Sequence, residues 1–215
     1  MALDLRALLA PEGTALVLFE CQEGIIGERA GGTPLAEAVR RHGTVAQAAR
    51  VLAAARGAGA VVAHALVARR EDGAGAAVSC LLLAAGRKSG RPPLVPGSPQ
   101  QAPVAALAPA PGEWTLTRFH GVTPFHHTEL DQLLRNQGVR TIVLAGVSLN
   151  VGILGATIEA VNAGYQVVIP REAVCGTPDD YVEAVLQHTL RLLATVVPVA
   201  DVETAWWAAG GGPPA

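Results

Sequence analysis

The chain has 215 residues, enough for one large domain with a full hydrophobic core. Its 16 basic and 18 acidic side chains give a net charge of −2 with no Lys/Arg block, so nucleic-acid binding has little electrostatic support. Half of the residues are hydrophobic but only 4% are aromatic, so the core must be built mainly from Ala, Val and Leu.

The amino terminus, MALDLRALLAPEG, carries Asp4 early and has no basic region, and its apolar core is too short for a secretory signal. Thr14 to Phe19 (TALVLF) is a continuous apolar run ended by Glu20 and predicts the first strand. Leu35 to Arg56 is Ala-rich with Val39, Val45, Ala49 and Leu52 at helical spacing, and Gly57 offers a stop. Ala60 to Val67 predicts the second strand, with His64 inside it as a hydrogen-bonded core residue, and Ala76 to Ala85 a short helix. From Arg91 to Gly112 the prolines come too densely for a helix or a central strand, which leaves an ordered surface excursion or a flexible loop. Trp114 to Thr117 is the next strand, followed by Arg118. Thr128 to Gln137 predicts a helix with Glu129 and Asp131 in its first turn and Gly138 after its end.

Thr141 to Ala145 predicts a buried strand, Asn150 to Asn162 a helix, and Gln166 to Ile169 a further strand. The uncharged stretch from Thr141 to Ile158 touches the length of a membrane span, but its glycines and polar residues break the periodicity, and strand–turn–helix explains it better. Asp179 to Leu193 predicts a helix after Pro178, Thr195 to Val199 a last strand, and Asp201 to Ala208 a final helix. Residues 1–208 therefore read as a single domain, with 209–215 as a disordered tail. Alternating strands and helices predict an α/β fold: a doubly wound, mostly parallel six-stranded sheet with helices on both faces, a Rossmann-like three-layer arrangement. Cys21, Cys80 and Cys175 are widely spaced with no CxxC pair, which reads as reduced thiols in a cytoplasmic protein.

Open α/β sheets bind ligands at the carboxyl ends of their strands, and three such ends carry polar residues. Glu20 is placed for general acid or base work, or it is a charge that simply ends a strand. Arg118 can clamp a carboxylate or stabilise developing negative charge, or be a solvated flank. The turn from Ser148 through Asn150 to Gly152 can present main-chain N–H groups to an anion. Gly152 either lets a substrate approach the main chain or is a packing glycine. Cys21 should face away from Glu20 and pack as a buried thiol. His120, His126 and His127 share one loop without helical metal spacing, and no carboxylate completes a triad with His64, so neither a metal nor a cofactor is expected. The GAG triplets at 57–59 and 73–75 are turns, since the dinucleotide fingerprint lacks its third glycine.

Jointly these segments resemble the isochorismatase-like hydrolase superfamily, which includes nicotinamidases, N-carbamoyl amidases and isochorismatases, over about Thr14 to Ala200. In ALVLFECQ, Glu20 stands where the superfamily has its Asp, with Gln22 following. In RFHGVTPFHHTEL, Arg118 stands at or near the Lys, Phe125 at the Phe and Thr128 at the helix start. In GVSLNVG, Gly152 takes the place of the nucleophilic Cys, and the following GATIEAVNAGYQVVIPREAV is similar to the family's helix, Gly-Tyr strand and acidic-Ala-Val element. The resemblance also implies a cis peptide at Val147–Ser148.

Cysteine hydrolases of the superfamily attack a carbonyl or nitrile with a thiolate. Isochorismatases carry Gly at that place and hydrolyse a vinyl ether after protonation by the carboxyl group. The resemblance therefore implies a hydrolase without a cysteine nucleophile, acting on a small carboxylated or carbonyl-containing metabolite. Glu20 would be its acid/base, Arg118 its electrostatic clamp, and Gln22, Phe125, Ser148 and Asn150 would contact substrate. The alternative is a catalytically silent member that binds a small ligand or serves as an assembly subunit. An amidase recruiting Cys21 is disfavoured by the facing of that residue. Dimers or tetramers are common in the family, and Trp206 and Trp207 near the end predict a buried partner surface, so a homo-oligomer is expected.

Overall fold

The computed structural model describes residues 4–210. Seven strands form one parallel sheet: β1 (Thr14–Phe19), β2 (Val61–Val67), β3 (Trp114–Arg118), β4 (Thr141–Val147), β5 (Gln166–Pro170), β6 (Val174–Cys175) and β7 (Thr195–Val197). Their order is β3-β2-β1-β4-β5-β7, and β6 pairs with the end of β4, Val147 opposite Cys175. The expected six strands become seven because β6 is two residues long and follows a tight turn at Arg171–Ala173. β1 and β4 are buried along their whole length, which explains their unbroken apolar sequences. The uncharged Thr141–Ile158 stretch is strand, turn and helix, and no described helix is long and apolar enough to cross a membrane.

Nine helices accompany the sheet among the described residues: α1 (Leu5–Leu8), α2 (Pro34–His42), α3 (Thr44–Ala58), α4 (Leu81–Lys88), α5 (Leu130–Asn136), α6 (Leu154–Asn162), α7 (Asp179–Val185), α8 (Arg191–Leu193) and α9 (Val199–Gly210). One core cluster joins Leu16 and Leu18 of β1 to Val39 of α2, Leu52 of α3 and Trp206 of α9. The other joins Val17 and Phe19 to Leu134 of α5, Ala156 of α6 and Val185 of α7. The alternation of β1 side chains thus feeds two cores, and the result is three layers.

Several boundaries differ from expectation for local reasons. The helix expected over Leu35–Arg56 is two helices, because Gly43 takes a left-handed conformation (φ 64°) and its N–H closes onto Arg40 and Val39. α2 starts where Thr33 accepts a hydrogen bond from the Ala36 N–H and Pro34 opens the first turn. The helix expected over Ala76–Ala85 begins only at Leu81, and β4 runs past Gly146 to Val147. Wider turns of π type interrupt the helical stretches at Leu149–Ile153 and Leu186–Leu190. Ala209 and Gly210 of the expected tail end α9, while residues 211–215 lie outside the described residues.

The proline-dense segment is an ordered excursion. Gly24 and Glu23 donate main-chain hydrogen bonds to Gln100 and Ala102, Val104 donates to Cys21, and Gln22 bridges Pro103 in antiparallel fashion. Trp206 does not form a partner surface. It is fully buried within this chain, with its indole N–H on Leu9 O at 3.0 Å.

His64 is buried, as expected, and acquires a partner from β3's approach: its Nε2 lies 2.9 Å from Glu113 Oε2. Arg56 Nε donates to the other Glu113 oxygen at 2.6 Å, and the Ala110 N–H also donates to Glu113. Burial alone would raise the Glu113 pKa, but the bonds from Arg56, Ala110 and His64 outweigh it and hold the carboxyl at about 2. Burial lowers the His64 pKa, with Glu113 opposing. As pH falls below the ordinary His range the unfolded chain takes up that proton first, and below the ordinary Glu value it also protonates the carboxylate first. Both groups therefore withdraw stability on acidification and neither does so on raising the pH. Denaturant unfolding should show stability falling from about pH 6.5 downward, and Glu113→Gln should lower neutral-pH stability by about 1.5–3 kcal/mol and flatten the acid limb. Superimposable curves for the two proteins would contradict this assignment.

Candidate active site

The sheet order places the ends of β1, β2 and β3 side by side, with Val67 opposite Arg118 in register. At the end of β1 the chain turns sharply: Glu20 has φ 52°, a left-handed conformation uncommon for a residue with a side chain. Its N–H still bonds Ala65 O on β2, and its own carbonyl accepts the Gln22 N–H at 2.8 Å. This turn brings the Glu20 carboxylate against the guanidinium of Arg118, the last residue of β3, and Nη2 donates to Oε1. Arg118 is 4% exposed and Glu20 is partly open. Nε and Nη1 of Arg118 are buried with no partner among the described residues. A buried cation with two unused donors is a ready site for an anion.

Below the guanidinium lies Phe19, with its ring centroid 4.9 Å from Arg118 Cζ. The same ring covers Gly152: a Cβ there would sit 2.3 Å from Phe19 Cε1. The position that the sequence resemblance assigns to a nucleophile is therefore filled by an aromatic ring. Of the two readings of Gly152, this contact fits the packing glycine.

The turn after β4 has the cis peptide at Val147–Ser148. The N–H groups of Val151 and Ile153 close onto Ser148 O. Ser148 is half-buried, and Asn150 Oδ1 is buried without a partner, 2.6 Å from where a Cβ on Gly176 would stand. Asn150 thus faces the end of β6.

Two expected substrate contacts have other neighbours. Gln22 is completely buried; its Nε2 donates to Val67 O and Gln101 O and its Oε1 accepts the Val67 N–H. It stitches the end of β2 to the excursion. Phe125 stands against Tyr165, at a ring-centroid distance of 6.3 Å, just before β5. His120, His126 and His127 cluster by their rings, yet no group of His, Cys, Asp or Glu among the described residues is arranged to hold a metal.

Cys21 is buried, and burial first, then Glu20, pushes its thiol pKa up to about 12. Cys175 is likewise raised by burial, and the three cysteines are unpaired. Burial thus favours the protonated thiol over the nucleophilic thiolate at both residues.

Phe19 and Arg69 stand outside the sequence expectations. Arg69 lies two residues past β2, and its Nη1 donates to Ala68 O and Phe119 O. Applying the strand-end rule to β2 as well as to β1 and β3 would have found it. Phe19 carries a weaker signal, an aromatic residue directly before the acid in a chain with three Phe.

Gly152→Ala should cost about 1–3 kcal/mol in denaturant unfolding, since the added methyl enters the Phe19 ring. In a Phe19→Leu background the penalty should shrink, and strict additivity of the two changes would show that the contact is absent.

Comparison with known proteins agrees with the sheet and the turn. The isochorismatase domain family matches residues 14–201. A phenazine biosynthesis protein of Pseudomonas aeruginosa is 30% identical over 99 residues, 46% of this chain and 47% of that protein. Maleamate amidohydrolase of Pseudomonas putida is 36% identical over 91 residues, 42% of each chain, so the matched stretch spans less than half of these relatives. An isochorismatase family protein of Desulfovibrio vulgaris superposes with a TM-score of 0.76 at 30% identity, over 89% of this chain and 97% of that one. With the family matched over most of its length and a solved member sharing the whole fold, this chain belongs to the isochorismatase family.

Proposed function

We propose that the chain is a hydrolase of small molecules that works without a covalent intermediate, and that its substrate carries a carboxylate. The observation that carries this reading is the buried Arg118, paired with Glu20 on one donor and unpartnered on two others. The unused donors would hold the substrate carboxylate. Phe19 on Gly152 and the raised pKa values of Cys21 and Cys175 speak against thiolate attack.

The chemistry that suits such a site is cleavage of a vinyl ether. The acid form of Glu20 would give its proton to the vinyl carbon. The resulting oxocarbenium ion is captured by water, which returns a proton to the Glu20 carboxylate, and the hemiketal collapses to a ketone and an alcohol. Arg118 keeps its own proton throughout and acts by charge alone. No side-chain nucleophile is required.

A second reading, a family member that binds its ligand without turnover, is favoured by the ring over Gly152, which covers main chain at the heart of the site. Isochorismate and maleamate separate the readings. The hydrolase reading expects turnover of isochorismate and none of the amide. Glu20→Gln should lower kcat about a hundred- to ten-thousand-fold while leaving binding in place. Wild-type protein that binds isochorismate but leaves it intact would establish the second reading, and amide turnover abolished by thiol alkylation would overturn both.

A further inference from the structure

A concavity of about 700 Å³ opens next to Arg69, and Glu20 and Arg118 do not line it. One wall comes from the segment after β1 and the start of α2, with Ile25 and Leu35; the other comes from the proline-dense excursion, with Pro93 and Leu94; Val67 at the end of β2 contributes to the floor. Ile25, Leu35 and Leu94 are half-buried, so apolar surface faces the space. The walls are held in place by main chain: Arg69 N donates to Leu94 O at 2.9 Å and Gly24 N to Gln100 O at 2.8 Å. Its size is that of a small-molecule site.

Three cations, Arg69, Arg70 and Arg91, line it against two carboxylates, Glu71 and Asp72. Arg70 is closed off by Asp72, with Nε and Nη2 on its two oxygens at 2.9 and 2.6 Å. Arg69 forms no ion pair among the described residues; its guanidinium is held by the carbonyls of Ala68, just past β2, and Phe119, just past β3. Burial first, and then the neighbouring Arg118, hold its pKa below the ordinary value, with Glu20 pulling the other way. An anion set against Arg69 would relieve both effects.

We propose that this groove binds the apolar body of a carboxylic acid whose head group docks on Arg69 at the rim of the Glu20–Arg118 site. The inference rests on the proposed function only for the place of the reacting group. It adds that the ligand is an amphipathic acid with a body several carbons long, in contrast to the smallest polar amides and acids. Ile25, Leu35 and Leu94 supply the surface for that body, and Arg69 selects acids over neutral molecules of the same length. Ala68 N donates to Arg118 O at 2.9 Å, so the two arginines sit on neighbouring strand ends.

Calorimetric binding of butanoate, hexanoate and octanoate to the whole chain tests this without turnover, because these acids have no bond for Glu20 to cleave. Affinity should rise about fourfold per added methylene until the groove is filled. Octanol should bind about tenfold or more weakly than octanoate. Arg69→Gln should remove the preference for the acid and leave the chain-length dependence, whereas Arg69→Lys should restore part of the preference. Leu35→Ser should weaken octanoate more than butanoate. Unchanged melting temperatures would show that the variants are folded, and if Arg69→Gln melts early, the Lys variant and the wild-type acid-to-alcohol ratio decide alone. Affinity independent of chain length, or octanol equal to octanoate, would overturn the proposal. Loss of isochorismate turnover with this binding series intact would instead count against the Glu20 chemistry.

Discussion

The site depends on one buried charge. A guanidinium at 4% exposure needs an acceptor beside it, and truncating the partner of such a pair costs about 3–5 kcal/mol. Glu20 provides the counter-charge by leaving the line of β1 in a left-handed turn, and Phe19 gives the cation a face to lie on. The backbone conformation of one residue, the ring of the previous one and the last side chain of a strand two places away are therefore fixed together. Strand order makes this possible, since β1, β2 and β3 are neighbours and β1 stops two residues short of the level at which β2 and β3 end.

That coupling ties position 152 to the support of Arg118. The ring that supports Arg118 also occupies the volume over Gly152, so supporting the cation and accommodating a side chain at position 152 compete for the same space. An aliphatic residue at position 19 would free the volume and give up the aromatic face. Exchanging Gly152 alone is therefore not an isolated change. It draws in Phe19, and through Phe19 the orientation of Arg118.

Much of the sheet was legible because its central strands are buried on both faces, and TALVLF and TIVLA can hardly be anything else. The two-residue β6 was not, since its pairing is defined by β4 and not by any period of its own. Gly43 was overlooked as a break because the apolar spacing continues across it, and only its left-handed φ shows that the helix axis changes there. At the site, Glu20 and Arg118 were legible from their places after apolar runs. The neighbours of Gln22 and Gly152 are tertiary. The amide of Gln22 is used by Val67 and Gln101, which lie 45 and 79 residues away, and the space above Gly152 is taken by a ring from another strand. Local pattern cannot report such contacts.

Trp206, buried against Leu9, brings α9 alongside α1 and so sets the two extremities of the described chain next to each other. Leu9 O and the indole hydrogen share a bond between residues 197 positions apart. A cut at the exposed Gly73–Gly75 bend, which lies between β2 and β3, would leave two pieces still joined through that junction. Continuity of the polypeptide at that bend is thus separable from the architecture it folds into.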